Sequence, residues 1–329
     1  MRVLVVSSYP PRHCGIGAYA AALAERWREA GDTVVVISPP DGGGDVRVRF
    51  DGGRPFVRAA RLGGSFDRIV VQFQPGLYYR PHAPVSKVLT SLGLLWLVSR
   101  RRRTEIVVHE ADRPIRWRPD YALLRQALKR ARLLFHTDAE RRELEREYRL
   151  NARARLIDHA EGIRVTGGLS RREARRRLEI PADERLYLCA GFLHPGKGFD
   201  RAVRAFGEAG SPGRLVIVGS VRDETPGNLA YARTLRELCA RTPGATLVDA
   251  YVPAEDFDAW IAAADRLILP YRVSWSSGAL ARARTIGTPA IVAATGGLPE
   301  QAGPDDVVFR DDGELTALLR ADDRVEIHP

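Results

Sequence analysis

Lys197 stands in the stretch GFLHPGKGF, residues 191–199, straight after the apolar run LYLCA and straight before the helix-like pattern FDRAVRAF. A glycine at 191, four residues, and a Gly196-Lys197 pair between strand and helix resemble a phosphate loop, where backbone N–H groups and an ammonium surround an anion. The residue after the lysine is Gly198, which has no hydroxyl to hold Mg²⁺, and no strand ending in a metal-binding aspartate is evident. That leaves a lysine near a helix start that can meet a diphosphate as a point charge. The competing reading is a solvated first-turn lysine. Mg²⁺-dependent phosphohydrolase chemistry would need the missing hydroxyl.

Other stretches have the same character. SSYPPRHCGIG, residues 7–17, places Gly15 and Gly17 at a strand-to-helix turn, where glycines let N–H groups approach an anion or simply make the turn tight. Ser277-Gly278-Ala279 opens a helix after a strand and a Ser-rich loop, which makes a second anion-ready helix start. IVVH ends an apolar strand on His109, at the position where ligands of α/β sheets bind and where a satisfied core histidine is also common. FQPGLYYRPHAPV, residues 73–85, offers Gln74, Tyr78, Tyr79 and His82 as polar or aromatic groups for a second substrate.

The elements that must position these residues alternate between short β-branched runs and longer amphipathic stretches, the mark of an α/β architecture. Strands are expected at 2–7, 33–38, 68–73, 105–109, 133–136 and 154–158, with helices at 16–30, 84–102, 119–132 and 138–149. A second series follows, with strands at 185–190, 214–218, 245–249, 266–269 and 289–293 and helices at 198–209, 228–241, 255–264, 278–286 and 313–320. At 329 residues the chain exceeds one core. Two doubly wound domains are expected, 1–165 and 166–329, joined across 160–184 where no strand pattern occurs. The Gly-rich segment 39–54 reads as a surface loop or hairpin.

Composition narrows the function. The net charge is +10, yet only Lys87, Lys129 and Lys197 are lysines; arginine supplies the rest, scattered through helix patterns and mixed with glutamate. That mixing argues against nucleic acid, while leaving phosphorylated substrates or an anionic membrane open. The segment 84–103 is apolar with an arginine end, so it reads either as a peripheral membrane contact or as an amphipathic domain helix with a solvated end. No apolar run spans a bilayer, and MRVLVV continues into SSYPPRHCG without the long apolar core of a signal peptide. Cys14, Cys189 and Cys239 lack metal-type spacing and fit reduced thiols in a cytoplasm.

Together these pieces resemble the retaining glycosyltransferases of family four, which have the GT-B fold of two Rossmann-like domains facing across a cleft. The resemblance runs through SSYPPRHCGIGAYAAALAERWREAGDTVVVIS, GFLHPGKGFDRAVRAF, LVIVGS, LVDAYVPAEDFDAWIAAADRLILPYR and SSGALARARTIGTPAIVAATGGLPE, in that order. It implies a sugar nucleotide in the C-terminal domain, an acceptor in the N-terminal domain, and neither metal nor cofactor. Lys197 would offset the leaving diphosphate, with Gly191, Ser277, Gly278 and Ala279 around it. Gly15 and Gly17 would close over the donor, Gly219, Ser220, Tyr251 and Val252 would flank the base, and His109 would position the donor sugar and stabilise charge at the reacting carbon. The hexose-type sugar would pass with retention to a glycan, a lipid-linked or a small-molecule acceptor near Gln74, Tyr78 and His82. Two departures stand out. Ser274 and Arg282 occupy the places of two family glutamates eight apart, and an arginine cannot accept the hydrogen bonds of ribose hydroxyls. Phe192 replaces an arginine usual beside the glycine. Arg282 or Arg284 would be the substitute cation. A catalytically silent sugar-nucleotide binder is the alternative these departures imply.

Overall fold

The runs RVLVV, TVVVIS and RIVVQF are apolar on both faces, and such strands need cover from both sides. A computed structural model, describing residues 1–80, 83–110, 114–151, 154–210 and 213–322, gives them that cover in two separate parallel sheets. The chain divides into two units, Met1–Ile163 and Arg164–Pro329, two residues before the expected boundary.

The N-terminal unit runs β1 (Arg2–Val6), α1 (Gly15–Glu29), β2 (Thr33–Ser38), β3 (Val46–Arg47), α2 (Arg54–Leu62), β4 (Arg68–Phe73), α3 (Pro75–Tyr78), α4 (Pro84–Arg100), β5 (Thr104–Val108), α5 (Pro119–Arg130), β6 (Arg132–Phe135), α6 (Asp138–Tyr148), β7 (Ala154–Leu156) and a 3₁₀ turn at His159–Gly162. Its sheet order is β3-β2-β1-β4-β5-β6-β7. The segment 39–54 forms no hairpin. β3 pairs parallel to β2, with Ile37 opposite Val46, after the chain loops back through glycines, where Gly44 N–H donates to Ser38 Oγ at 3.0 Å. A Cβ on Gly44 would lie 2.8 Å from Val36 O, so the return needs glycine.

The C-terminal unit runs α7 (Arg171–Arg177), β8 (Leu186–Ala190), a 3₁₀ turn at Pro195–Lys197, α8 (Phe199–Ala209), β9 (Arg214–Gly219), α9 (Pro226–Arg241), β10 (Ala245–Asp249), α10 (Ala254–Ala263), β11 (Arg266–Leu269), α11 (Gly278–Ile286), β12 (Ala290–Ala293), α12 (Leu298–Gln301), β13 (Val307–Phe309) and α13 (Asp312–Asp322). Its order is β10-β9-β8-β11-β12-β13, and β8 is buried throughout. Local signals set the helix ends. Capping boxes Thr137–Glu140 and Ser170–Glu173 start α6 and α7, and left-handed Gly210 and Gly287 stop α8 and α11. Among the described residues no helix is long and apolar enough to cross a membrane.

Candidate functional site

In the C-terminal sheet, β9 lies on one side of β8 and β11 on the other, so the winding reverses between β8 and β11. Ligands of doubly wound sheets bind beyond the strand ends at such a reversal. The loops there are Gly191–Gly198 after β8 and Pro270–Ser277 after β11, and they are locked together. Gly198 has φ +61°, and a Cβ on it would sit 2.2 Å from Pro270 O. The N–H of Arg272 donates to Gly196 O at 2.9 Å. Arg272 also donates Nη1 and Nη2 to the two carboxylate oxygens of Asp200, both at 2.7 Å, while Tyr231 Oη donates to Oδ1 at 3.0 Å. Burial pushes the Asp200 carboxyl up, but the Arg272 hydrogen bonds and charge outweigh it and hold it below the usual range. Asp200 and Arg272 were not singled out by the sequence. Arg272 is one of many arginines, and only the fold shows it bracing the lysine loop.

Lys197 is half-buried, and its Nζ lies 3.8 Å from the centre of the Tyr271 ring. Among the described residues no carboxylate pairs with it. The ammonium is thus held on an aromatic face with its hydrogen-bonding capacity uncommitted. Beside Tyr271, Ser277 caps α11. Its Oγ accepts the N–H of Leu280 at 3.3 Å, its own N–H donates to Gln301 Oε1 at 2.7 Å, and Tyr271 Oη approaches its Oγ at 3.4 Å. Ser277 is therefore buried in structural bonds, while Gly278 is exposed and the N–H groups of Gly278 and Ala279 begin the helix without side-chain caps. The cradle consists of backbone more than hydroxyl.

The base-side candidates also come together in this unit. A Cβ on Gly219 would lie 1.9 Å from Gly191 O, so the ends of β9 and β8 touch as only glycine permits. Ser220 O accepts the N–H of Leu193 at 2.9 Å, and Gly219 O accepts that of Ala250, directly before Tyr251 and Val252, at 3.0 Å. A cavity of about 370 Å³ opens beside Ser220, lined also by Val221, Arg236 and Asp249. Arg282 behaves otherwise. Its guanidinium pairs with buried Asp258, which in turn accepts from Thr166, and Nη1 also donates to Arg164 O at 3.2 Å. Arg284 donates to Gln301 O at 2.9 Å. Both arginines are taken up by the fold, which leaves neither as the replacement cation.

In the N-terminal sheet the winding reverses between β1 and β4. The loop after β1 ends at Gly15 and Gly17, which open α1 behind Cys14, a residue that gives no side-chain cap. A Cβ on Gly17 would lie 3.2 Å from Tyr9 N, so this turn is close-packed. Ser7 and Ser8 are fully buried, and their hydroxyls have no hydrogen-bond partner. Unsatisfied buried hydroxyls are costly and call for a reason. Ser8 Oγ lies against the uncapped start of α1, 3.3 Å from where a Cβ on Gly17 would be.

His109 follows β5, and its Nε2 meets Gln72 Oε1 at 2.7 Å. Two further histidines, not anticipated from the sequence, join it. His136 follows β6 and His159 comes after β7, with ring centres 5.3 Å (His109–His136) and 4.1 Å (His136–His159) apart, and Tyr19 stands edge-on to all three. The signal was available, since a histidine follows successive strands at their carboxyl ends, where α/β sites form. Burial, then the neighbouring His159, lowers His109 to about 3; burial lowers His159 to about 4; burial and the two neighbours keep His136 well below the usual imidazole range. All three are neutral at pH 7. Gln74 donates to Glu110 Oε2 at 3.0 Å on the exposed rim. Tyr78 does not reach that rim. It is 1% exposed, stacked on Phe50 at 5.2 Å, and its hydroxyl donates to Gln72 O at 2.7 Å, so it belongs to the domain core. Tyr79 is buried under the Lys87 ammonium. His82 lies outside the described residues.

Two doubly wound units of this kind define the GT-B fold. Solved structures agree over nearly the whole chain. Sucrose-phosphate synthase from Thermosynechococcus elongatus superposes with a TM-score of 0.71 at 17% identity, covering 98% of this chain and 89% of that one. Anabaena HepE, solved in complex with UDP, gives 0.66 at 14% identity with the same coverage. Residues 184–321 match the family model described as Glycosyl transferases group 1, within a chain whose fold is GT-B. Among curated proteins, the D-inositol 3-phosphate glycosyltransferase of Streptomyces scabiei is 32% identical over 178 residues, 51% of this chain and 40% of its own length; that of Streptomyces coelicolor is 34% identical over 139 residues, 40% and 30%. The chain thus spans less than half the length of these relatives.

Proposed function

We propose that the protein transfers a sugar, with retention, from a nucleoside-diphosphate sugar bound by its C-terminal unit to an acceptor bound by its N-terminal unit. The observation that carries this reading is Lys197, an uncommitted ammonium on the Tyr271 ring at the winding reversal, in the same unit as the Gly278 and Ala279 N–H groups that the Ser277 cap of α11 leaves open. In the transfer, the bond from the sugar's C1 to the β-phosphate oxygen breaks with its electron pair on the diphosphate. A bond from the acceptor oxygen forms on the same face, and the acceptor's proton leaves with the diphosphate. Lys197 and the helix N-terminus offset the charge that develops on the diphosphate, in place of a metal. Neutral His109 donates its Nε2–H to Gln72 Oε1, which leaves the Nδ1 lone pair, and no full charge, for a hydroxyl of the donor sugar.

The test is thermal stabilisation by UDP-, GDP-, ADP- and dTDP-sugars, with uridine first because Anabaena HepE was solved with UDP and UDP-glucose. At a hundred times its Kd a donor should add about 2.7 kcal/mol to the stability of the folded state. Lys197→Ala should weaken binding about ten- to hundredfold, the loss of one charge-assisted contact. If no sugar nucleotide stabilises the wild type, the reading fails. A second reading, a donor-binding protein without turnover, is favoured by Ser274 and Arg282, since Arg282 is committed to Asp258 and offers ribose no acceptor. It would be selected by tight donor binding with neither hydrolysis nor transfer across a broad acceptor panel.

A further inference from the structure

A nucleoside diphosphate bears more than one negative charge and gains another when it leaves, so one ammonium leaves the site short of positive charge. The cations available are those on the loops beyond the carboxyl ends of β8 to β13, and among the described residues these are Lys197, Arg222, Arg272 and Arg310. Arg272 is held in a two-pronged pair with Asp200 and by Pro195 O. Arg310 lies on Glu314, its neighbour one helical turn on. Arg222 differs from both. Its guanidinium carbon lies 5.3 Å from the centre of the Phe192 ring, which places the guanidinium against the loop that carries Lys197. Its carboxylate partner is the adjacent Asp223, at 2.8 Å, with side chains 37% and 61% exposed, a surface pair of the weak and readily exchanged kind. His194, on the same loop as Lys197, has an imidazole kept neutral by burial and by the charges of Lys197 and then Arg222.

We propose that Arg222, carried on the Phe192 ring, is the second cation for the donor's diphosphate and closes on it opposite Lys197. This deepens the glycosyl-transfer reading and rests on it. Phe192 then acts as a platform. The positive group that its own position lacks comes from the neighbouring loop after β9, the loop that also holds Ser220. On diphosphate binding, the guanidinium exchanges Asp223 for phosphate oxygens, for which its planar fork is suited.

Calorimetric titration with UDP, GDP, ADP and dTDP, and with the corresponding nucleosides, tests the proposal on wild type, Arg222→Ala, Arg222→Lys, Phe192→Ala and Lys197→Ala. For the diphosphate that binds wild type, Arg222→Ala should raise Kd about ten- to hundredfold. The same variant should leave nucleoside binding and the melting temperature of the unliganded protein unchanged. Arg222→Lys should recover part of the loss, Phe192→Ala should lose affinity in the same direction, and Arg222→Ala should flatten the salt dependence of Kd. If Arg222→Ala and Arg222→Lys both bind the diphosphate as wild type does while Lys197→Ala does not, Lys197 carries the diphosphate alone; the proposal is overturned and the functional reading stands. An equal loss for nucleoside and diphosphate would also overturn it, because Arg222 would then be shaping the base pocket. If no diphosphate binds wild type, the functional reading falls and takes the proposal with it.

Discussion

The three neutral histidines set a pH dependence that can be derived residue by residue. Glu140 Oε2 lies 3.8 Å from His136 Nδ1, which would favour a charged ring, but that oxygen already accepts the N–H groups of His136 and Thr137. Burial and the two neighbouring rings prevail. Unfolded, each histidine takes up a proton near pH 6.5; folded, His159 and His109 do so only at about 4 and about 3. Their contribution to stability is therefore fully present above pH 6.5 and is lost as the pH falls from there toward 4, because the unfolded chain then binds more protons. Urea unfolding should show the midpoint dropping between pH 7 and pH 5, a range in which most carboxylates have yet to titrate. His159→Gln and His136→Gln should each reduce the drop. A flat wild-type profile, or an unaltered drop in both variants, would remove the cluster as its cause.

Among the elements, the turn between β8 and α8 makes the sharpest demand on sequence. Gly198 and Gly210 sit at the two ends of α8 with nearly the same backbone, φ +61° and +59°, but only Gly198 is crowded, against Pro270 O. Alanine at either position bears the left-handed cost of about 1–2 kcal/mol. At Gly210, with nothing within 4 Å, it should stop there and leave nucleotide binding untouched. At Gly198 it must also push the β11 loop away, moving Lys197 off the Tyr271 ring, so both stability and diphosphate affinity should fall. Equal effects on affinity in the two variants would show that the loop contact is irrelevant to the site. The sequence made this element legible because glycine, lysine and apolar run stood in order. It left β3, β13 and α12 unread, since two to four residues carry no period. It also left α7 unread, because RREARRR has no apolar stripe and its start is marked only by Ser170 and Glu173. The pairing of Arg282 with Asp258 and the stack of Arg222 on Phe192 join different loops and helices, and arginine is too abundant here for its type to single out a partner.

At the scale of the whole molecule, each unit has its own sheet, its own buried core and its own winding reversal, so a ligand's effect can be assigned to a unit. A nucleoside diphosphate without its sugar engages only groups that belong to the C-terminal unit in the proposed site: the loops at Gly191–Gly198, Gly219–Arg222 and Ser277–Ala279. Hydrogen exchange should then slow in those loops and in the last residues of β8 and β9, by up to the hundredfold that saturation at a hundred times Kd allows for segments whose opening expels the ligand. The amides around His109 should be unchanged by the diphosphate and slow only with the intact sugar nucleotide, since the proposed role of His109 is toward the donor sugar. The long-range attraction of a chain with net charge +10 for the anionic ligand should speed association at low ionic strength without altering this map. Protection confined to the N-terminal unit with the diphosphate would reverse the assignment of donor and acceptor. Protection in both units with the diphosphate alone would mean that the uncapped start of α1 and the buried hydroxyls of Ser7 and Ser8 are themselves anion ligands, and that the donor's charge is shared by both sheets from the moment it binds.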